Sequence, residues 1–416
     1  MKVLVMAWGF PNARRPVHGV FTLERTKALA RLCEIRVVAP VKWFPFGHRL
    51  SPGTRARVPR HEVQAGLDVY HPKYFAIPYV LRFLDGFLYF LSVVRAVRKI
   101  RREFPFELID AHFAFPDGFA AVLLGKLFNT PVVVTLHGGI GLHARYAIRR
   151  PLLRYSLRHA DRIVSVSDST KAQAVALGIR SDKIALANNG IDASVFHPHP
   201  TAQARTELGL PQDRRVVISV GHLREGKGFD AVIELFPQLL ARFPDLLFVV
   251  VGGATYGGRY MLKLQRLVEA MKLHDHVRLA GTQLHDRVPL WLSAADVFCL
   301  MTRAEAWATV FLEAMACGIP VVTTRVGGNA EVVASDDVGI LVELGDTAGM
   351  VRALSEALER QWDHARIQRY AMQHTWDRVA ERVFDVWTDA VRASTDMSGP
   401  QQPREVLGAD EIGPPR

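Results

Sequence analysis

The chain has 416 residues, 49% hydrophobic and 22% charged, a balance that excludes a disordered or fibrous protein and allows two or three ordinary domains. Its net charge of +11 is lopsided: residues 1–195 hold 29 Lys and Arg against 13 Asp and Glu, whereas the remainder is mildly acidic. Three cysteines, Cys33, Cys299 and Cys317, lie far apart with neither disulfide nor metal-ligand spacing, which predicts a reducing, cytoplasmic setting.

The run Lys2 to Trp8 predicts a buried first strand. Pro11-Asn12 follows too soon for the first ten residues to predict a secretory signal. A glycine-bearing basic loop leads through His18-Gly19 into a helix predicted from about Thr22 to Leu32, and Glu34 to Pro40 predicts a second strand. Strand, loop, helix, strand opens a doubly wound domain. Gly19 before the helix either makes a turn or lets a phosphate approach.

The stretch Tyr74 to Arg102 is aromatic and apolar, then strongly basic. Arg82, Asp85 and Arg95 interrupt it, so no membrane-spanning run is predicted. A core helix with a basic end and an interfacial helix whose cations reach lipid headgroups are both open readings. Glu107 to His112 predicts a strand ending near Asp117-Gly118, with a helix to Leu127. Pro131 to Leu136 predicts another, ending in His137-Gly138-Gly139. Ligands of open α/β sheets bind beyond the carboxyl ends of strands, which makes His112, Asp117 and His137 candidates. A structural His137 satisfied by backbone is the plain alternative. The arginines between Arg145 and Arg158 form either a solvated face or an anion-binding one.

Asp161 to Ser167 predicts a strand, and the Asn189-Gly190 turn closes a first domain, 1–192. Residues 193–213, with Pro198, Pro200 and Pro211, predict a linker. A second domain, 214–370, opens with a strand at Arg215 to Val220 and the loop Gly221-His222-Leu223-Arg224-Glu225-Gly226-Lys227-Gly228. Backbone N–H groups and a lysine at a helix start can cradle a diphosphate. It is not a P-loop, because Gly228 follows Lys227. Further on, an apolar strand at Val297 to Leu300 precedes Glu305, and Glu313 lies in a helix from Thr309 to Ala316, with seven residues between the two glutamates. The first would face a reacting group, and the second, about two turns in, would reach a vicinal diol. A helix at 371–392 and a disordered tail at 393–416 complete the prediction.

The Glu305/Glu313 stretch, EAMACGIPVV after it and Gly327-Gly328-Asn329-Ala330-Glu331 together resemble the E-x7-E region of retaining glycosyltransferases of family 4. The resemblance covers most of residues 1–390. It implies the GT-B fold: two doubly wound Rossmann-like domains facing a central cleft, an acceptor-binding first domain, a donor-binding second domain, and a C-terminal helix packing back on the first. It implies transfer from a nucleotide-diphosphate sugar, with no metal and no cofactor beyond that donor. His137, Lys227 and Glu305 are the implied catalytic residues. Gly19, Arg224, Lys227, Glu305, Val310 and Glu313 are implied to bind donor, and His112 and Asp117 are candidates for acceptor. The implied acceptor is lipid-linked or a polysaccharide, met at the inner face of the plasma membrane by the basic first domain.

The chain departs from the family at His222, where arginine is frequent, and at Ala306 and Ala308, where glycine or another small turn residue is frequent. Two rivals stay open: a GT-B nucleotide-sugar 2-epimerase, and a non-catalytic basic module for anionic lipid. Nucleic acid is not expected as a partner, since no zinc spacing, ribonucleoprotein motif or helix-turn-helix signature is present.

Overall fold

The computed structural model describes residues 1–44, 58–76, 81–253 and 258–398. Sixteen strands, in chain order, are β1 (Lys2–Met6), β2 (Glu34–Val38), β3 (Val41–Trp43), β4 (His61–Gln64), β5 (Leu67–Tyr70), β6 (Lys73–Phe75), β7 (Leu108–His112), β8 (Val132–Leu136), β9 (Arg162–Ser165), β10 (Ile184–Leu186), β11 (Val216–Val220), β12 (Leu247–Val251), β13 (Val277–Gly281), β14 (Val297–Leu300), β15 (Val321–Thr324) and β16 (Gly339–Val342). They form two large sheets, ordered β10-β9-β8-β7-β1-β2-β5-β4 and β13-β12-β11-β14-β15-β16, and a small pair, β3-β6. Pairing is parallel throughout except at β4 against β5.

Most central strands read as apolar runs because helices cover both faces, and β7 differs in burying Asp110 and His112. Every residue of β7, β8, β11 and β12 is buried. In the first half the helices are α1 (Val20–Leu29), α2 (Asp85–Glu103), α3 (Phe119–Phe128), α4 (Ile140–Ala144), α5 (Arg149–His159) and α6 (Asp168–Ala176). In the second they are α7 (Thr201–Leu208), α8 (Phe229–Leu240), α9 (Arg259–Ala270), α10 (Val288–Ser293), α11 (Thr309–Ala316), α12 (Asn329–Val332), α13 (Thr347–Glu359) and α14 (His364–Ala371). A last helix, α15, runs from Trp376 to Ser398.

Helix α15 returns to the first sheet. Its Trp376, Val379, Ala380, Val383, Trp387 and Ala390 share one buried cluster with Val3, Val5, Val37 and Val133. The crossing is pinned by backbone bonds, Ile191 N to His374 O at 2.9 Å and Trp376 N to Ile191 O at 3.1 Å. A Cβ on Gly190 would sit 2.6 Å from Trp376 N, so the Asn-Gly turn also admits this close approach.

Three expectations change. Within the stretch expected to be a linker, α7 forms, and Phe196, Ala204, Leu208 and Leu210 are buried in the second half's core. The prolines at 198, 200 and 211 bracket a helix rather than an open connection. Tyr74 to Arg102 is not one helix: β6 ends at Phe75 and α2 begins at Asp85, with 77–80 outside the described residues. The expected tail starts late, because α15 continues to Ser398, and 399–416 lies outside the described residues.

Candidate active site

A doubly wound sheet opens a crevice where strand order reverses, beyond the carboxyl ends of the two strands concerned. In the second half that point lies between β11 and β14. The loop after β11 carries Lys227, and the loop after β14 carries Glu305. Lys227 Nζ donates to Glu305 Oε1, and both side chains are about nine-tenths buried. The two loops are knit together: Arg303 N donates to Gly226 O at 2.9 Å, and Thr302 Oγ1 donates to the same carbonyl at 3.0 Å. At Gly228, with φ 71°, a Cβ would lie 2.0 Å from Met301 O, so this close crossing requires glycine.

Val310 and Glu313 lie three residues apart on α11, hence on one face, and both are half-buried. Loss of water raises the Glu313 carboxyl above its ordinary range, and the charges of His285 and Lys227 partly oppose this. Glu313 therefore senses the same cation that Glu305 holds. Arg224 and His222 are exposed on the rim of the loop. Partial desolvation and the neighbouring Lys227 and Arg224 hold His222 below the usual imidazole range.

In the first half the order reverses between β1 and β7. Gly19 caps α1 with φ 74°, and a Cβ there would meet Gly9 O at 1.9 Å. The glycine is thus explained by the packing of its own loop. His18, beside the Trp8 ring at 4.9 Å, is pushed down to about 4 by burial, with Arg15, His222 and Lys42 adding to the effect. His112, the last residue of β7, and His137, just beyond β8, are stacked with ring centroids 5.0 Å apart and linked Nδ1 to Nε2 at 2.8 Å. His137 is half-buried, but His112 is fully buried behind it. Asp117 is fully buried too, and its Oδ1 accepts from Trp8 N at 2.7 Å and Tyr89 Oη at 3.0 Å. Both acceptor candidates are thus fully buried, His112 behind His137 and Asp117 behind Trp8 and Tyr89.

The two reversal points face each other. A Cβ on Gly138, after β8, would stand 2.7 Å from Ala306 Cβ, next to Glu305. His222 of the second half lies close enough to His18 of the first to add to the lowering of its imidazole. Glu331, before the end of α12, reaches the opposite half: its Oε2 accepts from Asp168 N at 2.7 Å and its Oε1 from Ser169 N at 3.0 Å. A carboxylate at a helix N-terminus meets unpaired N–H groups and the positive end of the dipole. Among the described residues no cluster of three or more His, Cys, Asp or Glu side chains is arranged to hold a metal ion.

Comparison with known proteins assigns both halves. Residues 18–195 match Glycosyltransferase Family 4, and residues 201–374 match Glycosyl transferases group 1. D-inositol 3-phosphate glycosyltransferase of Acidothermus cellulolyticus is 32% identical over 73% of this chain and 71% of its own length. The chain belongs to glycosyltransferase family 4. This glycosyltransferase is also 27% identical to the putative teichuronic acid biosynthesis glycosyltransferase TuaC of Bacillus subtilis, over 94% of this chain and 96% of that one. Its fold is GT-B. Sucrose-phosphate synthase of Thermosynechococcus elongatus superposes with a TM-score of 0.79 at 20% identity, covering 94% of this chain and 100% of the other. Anabaena HepE in complex with UDP and glucose superposes at 0.73 with 19% identity, covering 93% and 99%.

Sequence reasoning passed over four residues that build this glycosyltransferase's cleft. In the sequence Glu331 shows only as part of a motif, because its partners are amides of a distant helix. His18 shows in the sequence only as part of a loop. Asp110 sits two residues before His112 on β7, the alternation that puts both on one sheet face, and that spacing was available as a signal. Arg25 carries no distinguishing signal in the sequence, yet it is fully buried and donates to Ala187 O at 2.7 Å and Asn188 O at 3.3 Å.

Proposed function

We propose that the enzyme transfers a glycosyl group from a nucleotide-diphosphate sugar to a lipid-linked or polysaccharide acceptor, with retention at the anomeric carbon and without a metal ion or further cofactor. The observation that carries this reading is the Lys227–Glu305 pair at the reversal point of the second sheet, with Glu313 in range of the same lysine. The donor diphosphate would compete with Glu305 for Lys227, which frees the carboxylate to accept hydroxyls of the sugar. As the bond from the anomeric carbon to the diphosphate oxygen breaks, negative charge grows on the leaving group. Lys227 and Arg224 stabilise that charge more than they stabilise the ground state. Glu313 accepts the ribose diol, Val310 packs beside it, and His137 contacts the sugar from the opposite wall. The acceptor oxygen enters on the face the diphosphate leaves, and its proton passes to the departing phosphate.

HepE, whose fold this chain shares, has been solved with UDP and glucose, and the TuaC relative is named for teichuronic acid biosynthesis. Those names support the donor and acceptor classes. The first half adds a surface suited to an anionic membrane. Leu81, Phe87, Leu91, Tyr146 and Ile148 are exposed apolar side chains near the starts of α2 and α5. Arg82 and Arg149 both act on Asp85 there, so the apolar groups sit among cations. No described helix is long and apolar enough to cross a membrane.

The test is calorimetric titration with UDP-, GDP- and ADP-sugars in the presence of EDTA, followed by NMR of the product. One donor should bind, Lys227→Ala and Glu313→Ala should abolish that binding, and the product should keep the donor's anomeric configuration. No binding at millimolar donor, or inversion, would overturn the reading. Conversion of the donor sugar without acceptor would mark an epimerase instead.

A further inference from the structure

Behind His137 the first sheet carries a buried relay. Asp110 and His112 alternate on β7, Thr135 of β8 pairs in register with His112, and His137 follows two residues later, just past the end of β8. Asp110 Oδ2 lies 3.1 Å from His112 Nε2, and His112 Nδ1 lies 2.8 Å from His137 Nε2. Thr135 Oγ1 donates to the other carboxylate oxygen at 3.3 Å. The fully buried guanidinium of Arg25 supplies the positive charge that Asp110 faces.

The direction of the protons follows from donor and acceptor rules. Asp110 Oδ2 and His112 Nε2 make no aligned hydrogen bond, but a carboxylate oxygen 3.1 Å away favours an N–H over a lone pair on that nitrogen, so His112 carries its proton on Nε2 and offers Nδ1 as an acceptor. His137 must then donate from Nε2, which leaves its Nδ1 as a lone pair. That atom is buried and has no protein partner among the described residues. Burial, with His112 and Arg25 adding to it, holds the His137 ring well below the usual imidazole range. The next residues, Gly138 and Gly139, put no side chain over it, and a Cβ on Gly139 would find nothing nearer than 3.9 Å. A buried acceptor with no partner rewards a ligand that brings an O–H and penalises one that does not.

We propose that Asp110 and His112 are positioning residues that lock His137 in its Nε2–H tautomer, so that Nδ1 accepts a hydroxyl of the transferred glycosyl group. The use of the tautomer rests on the function proposed above; the tautomer itself does not. Asp110→Asn keeps the shape but supplies an amide donor, which lets the chain of bonds run in reverse and puts the proton of His137 on Nδ1.

The experiment is ring-nitrogen NMR of the full chain labelled with 15N-histidine, with His137→Gln to assign the signal, beside steady-state kinetics. Wild type should show His137 protonated on Nε2, and Asp110→Asn should show a shift toward Nδ1. Its kcat/KM should fall by about tenfold to a hundredfold, the worth of one hydroxyl bond turned from acceptor to donor, while nucleoside diphosphate affinity stays unchanged. His137 protonated on Nδ1 in wild type overturns the relay, whatever the substrate. The expected tautomer shift with undiminished kcat/KM overturns its role in sugar recognition. If Asp110→Asn does not fold, the wild-type tautomer and the kinetics of His112→Asn, whose amide can still accept from His137 Nε2, decide the matter. In that case His112→Asn should retain more kcat/KM than His112→Ala, and equal losses would count against positioning. A wild type that turns over no nucleotide sugar would sink the proposed function, while the NMR still decides the relay.

Discussion

Glu331 and Asp168 belong to opposite halves of the enzyme, yet the Glu331 carboxylate accepts the Asp168 backbone N–H at 2.7 Å. With the bond to Ser169 N, it caps the first turn of α6 from across the cleft, while Ser167 fills the N-cap position from within the same half, accepting from Thr170 N. The two halves are therefore joined near the active site by a charge-assisted contact. Glu331→Ala should weaken closure by about 1 kcal/mol, or roughly fivefold, because the contact is partly exposed. Small-angle scattering should give a larger radius of gyration for the variant, and the KM for donor should rise. An unchanged radius and KM would show that the clasp does not hold the halves.

The ion pair at the reversal point separates charge from shape. Lys227→Ala should lower kcat/KM by roughly a hundredfold to a thousandfold, the usual effect of removing one group that meets transition-state charge. Its melting temperature should stay within a few degrees, since the loops are held by backbone bonds to Gly226. Glu305→Gln should keep nucleoside diphosphate binding and lose turnover. Equal loss of diphosphate binding in both variants would contradict the division of labour between them.

Asp117 gives the enzyme a pH-dependent stability. Burial pushes its carboxyl from 3.8 up to about 8, against the opposing bonds from Trp8 and Tyr89. The folded state thus holds a proton that the unfolded chain releases. Stability should fall as pH rises from about 4 through about 8, then level off. Asp117→Asn, which still accepts both bonds, should remove that slope when urea unfolding is followed across this range. Asp117→Ala should cost about 1–3 kcal/mol at every pH by leaving two donors unpaired. A wild type and Asn variant with parallel profiles would refute the assignment.

Trp387, near the end of the described chain, is fully buried against the first sheet. Trp387→Ala should destabilise the protein by about 3–5 kcal/mol. The loss should appear in hydrogen exchange at β1 and β2, far away in sequence, because α15 covers that face. Protection lost only within α15 would show that the helix docks without supporting the sheet.

Periodicity and turn chemistry determined much of this protein before any contact was known. Apolar runs at 2–8, 131–136, 215–220 and 297–300 predict buried strands, glycines after two of them mark the loops of His137 and Lys227, and a carboxylate between strand and helix marks that of Glu305. These are local signals, since strand burial and helix starts leave their mark within a few residues. The order of strands within each sheet, and so the pairing of Lys227 with Glu305 across 78 positions, came from the tertiary structure alone. The same holds for the burial of His112 and Asp117, for the helix inside residues 193–213, and for Glu331 on the cap of α6. The reason is physical: a side chain's partner across a sheet or a cleft is set by topology and packing, and neither writes a period into the chain.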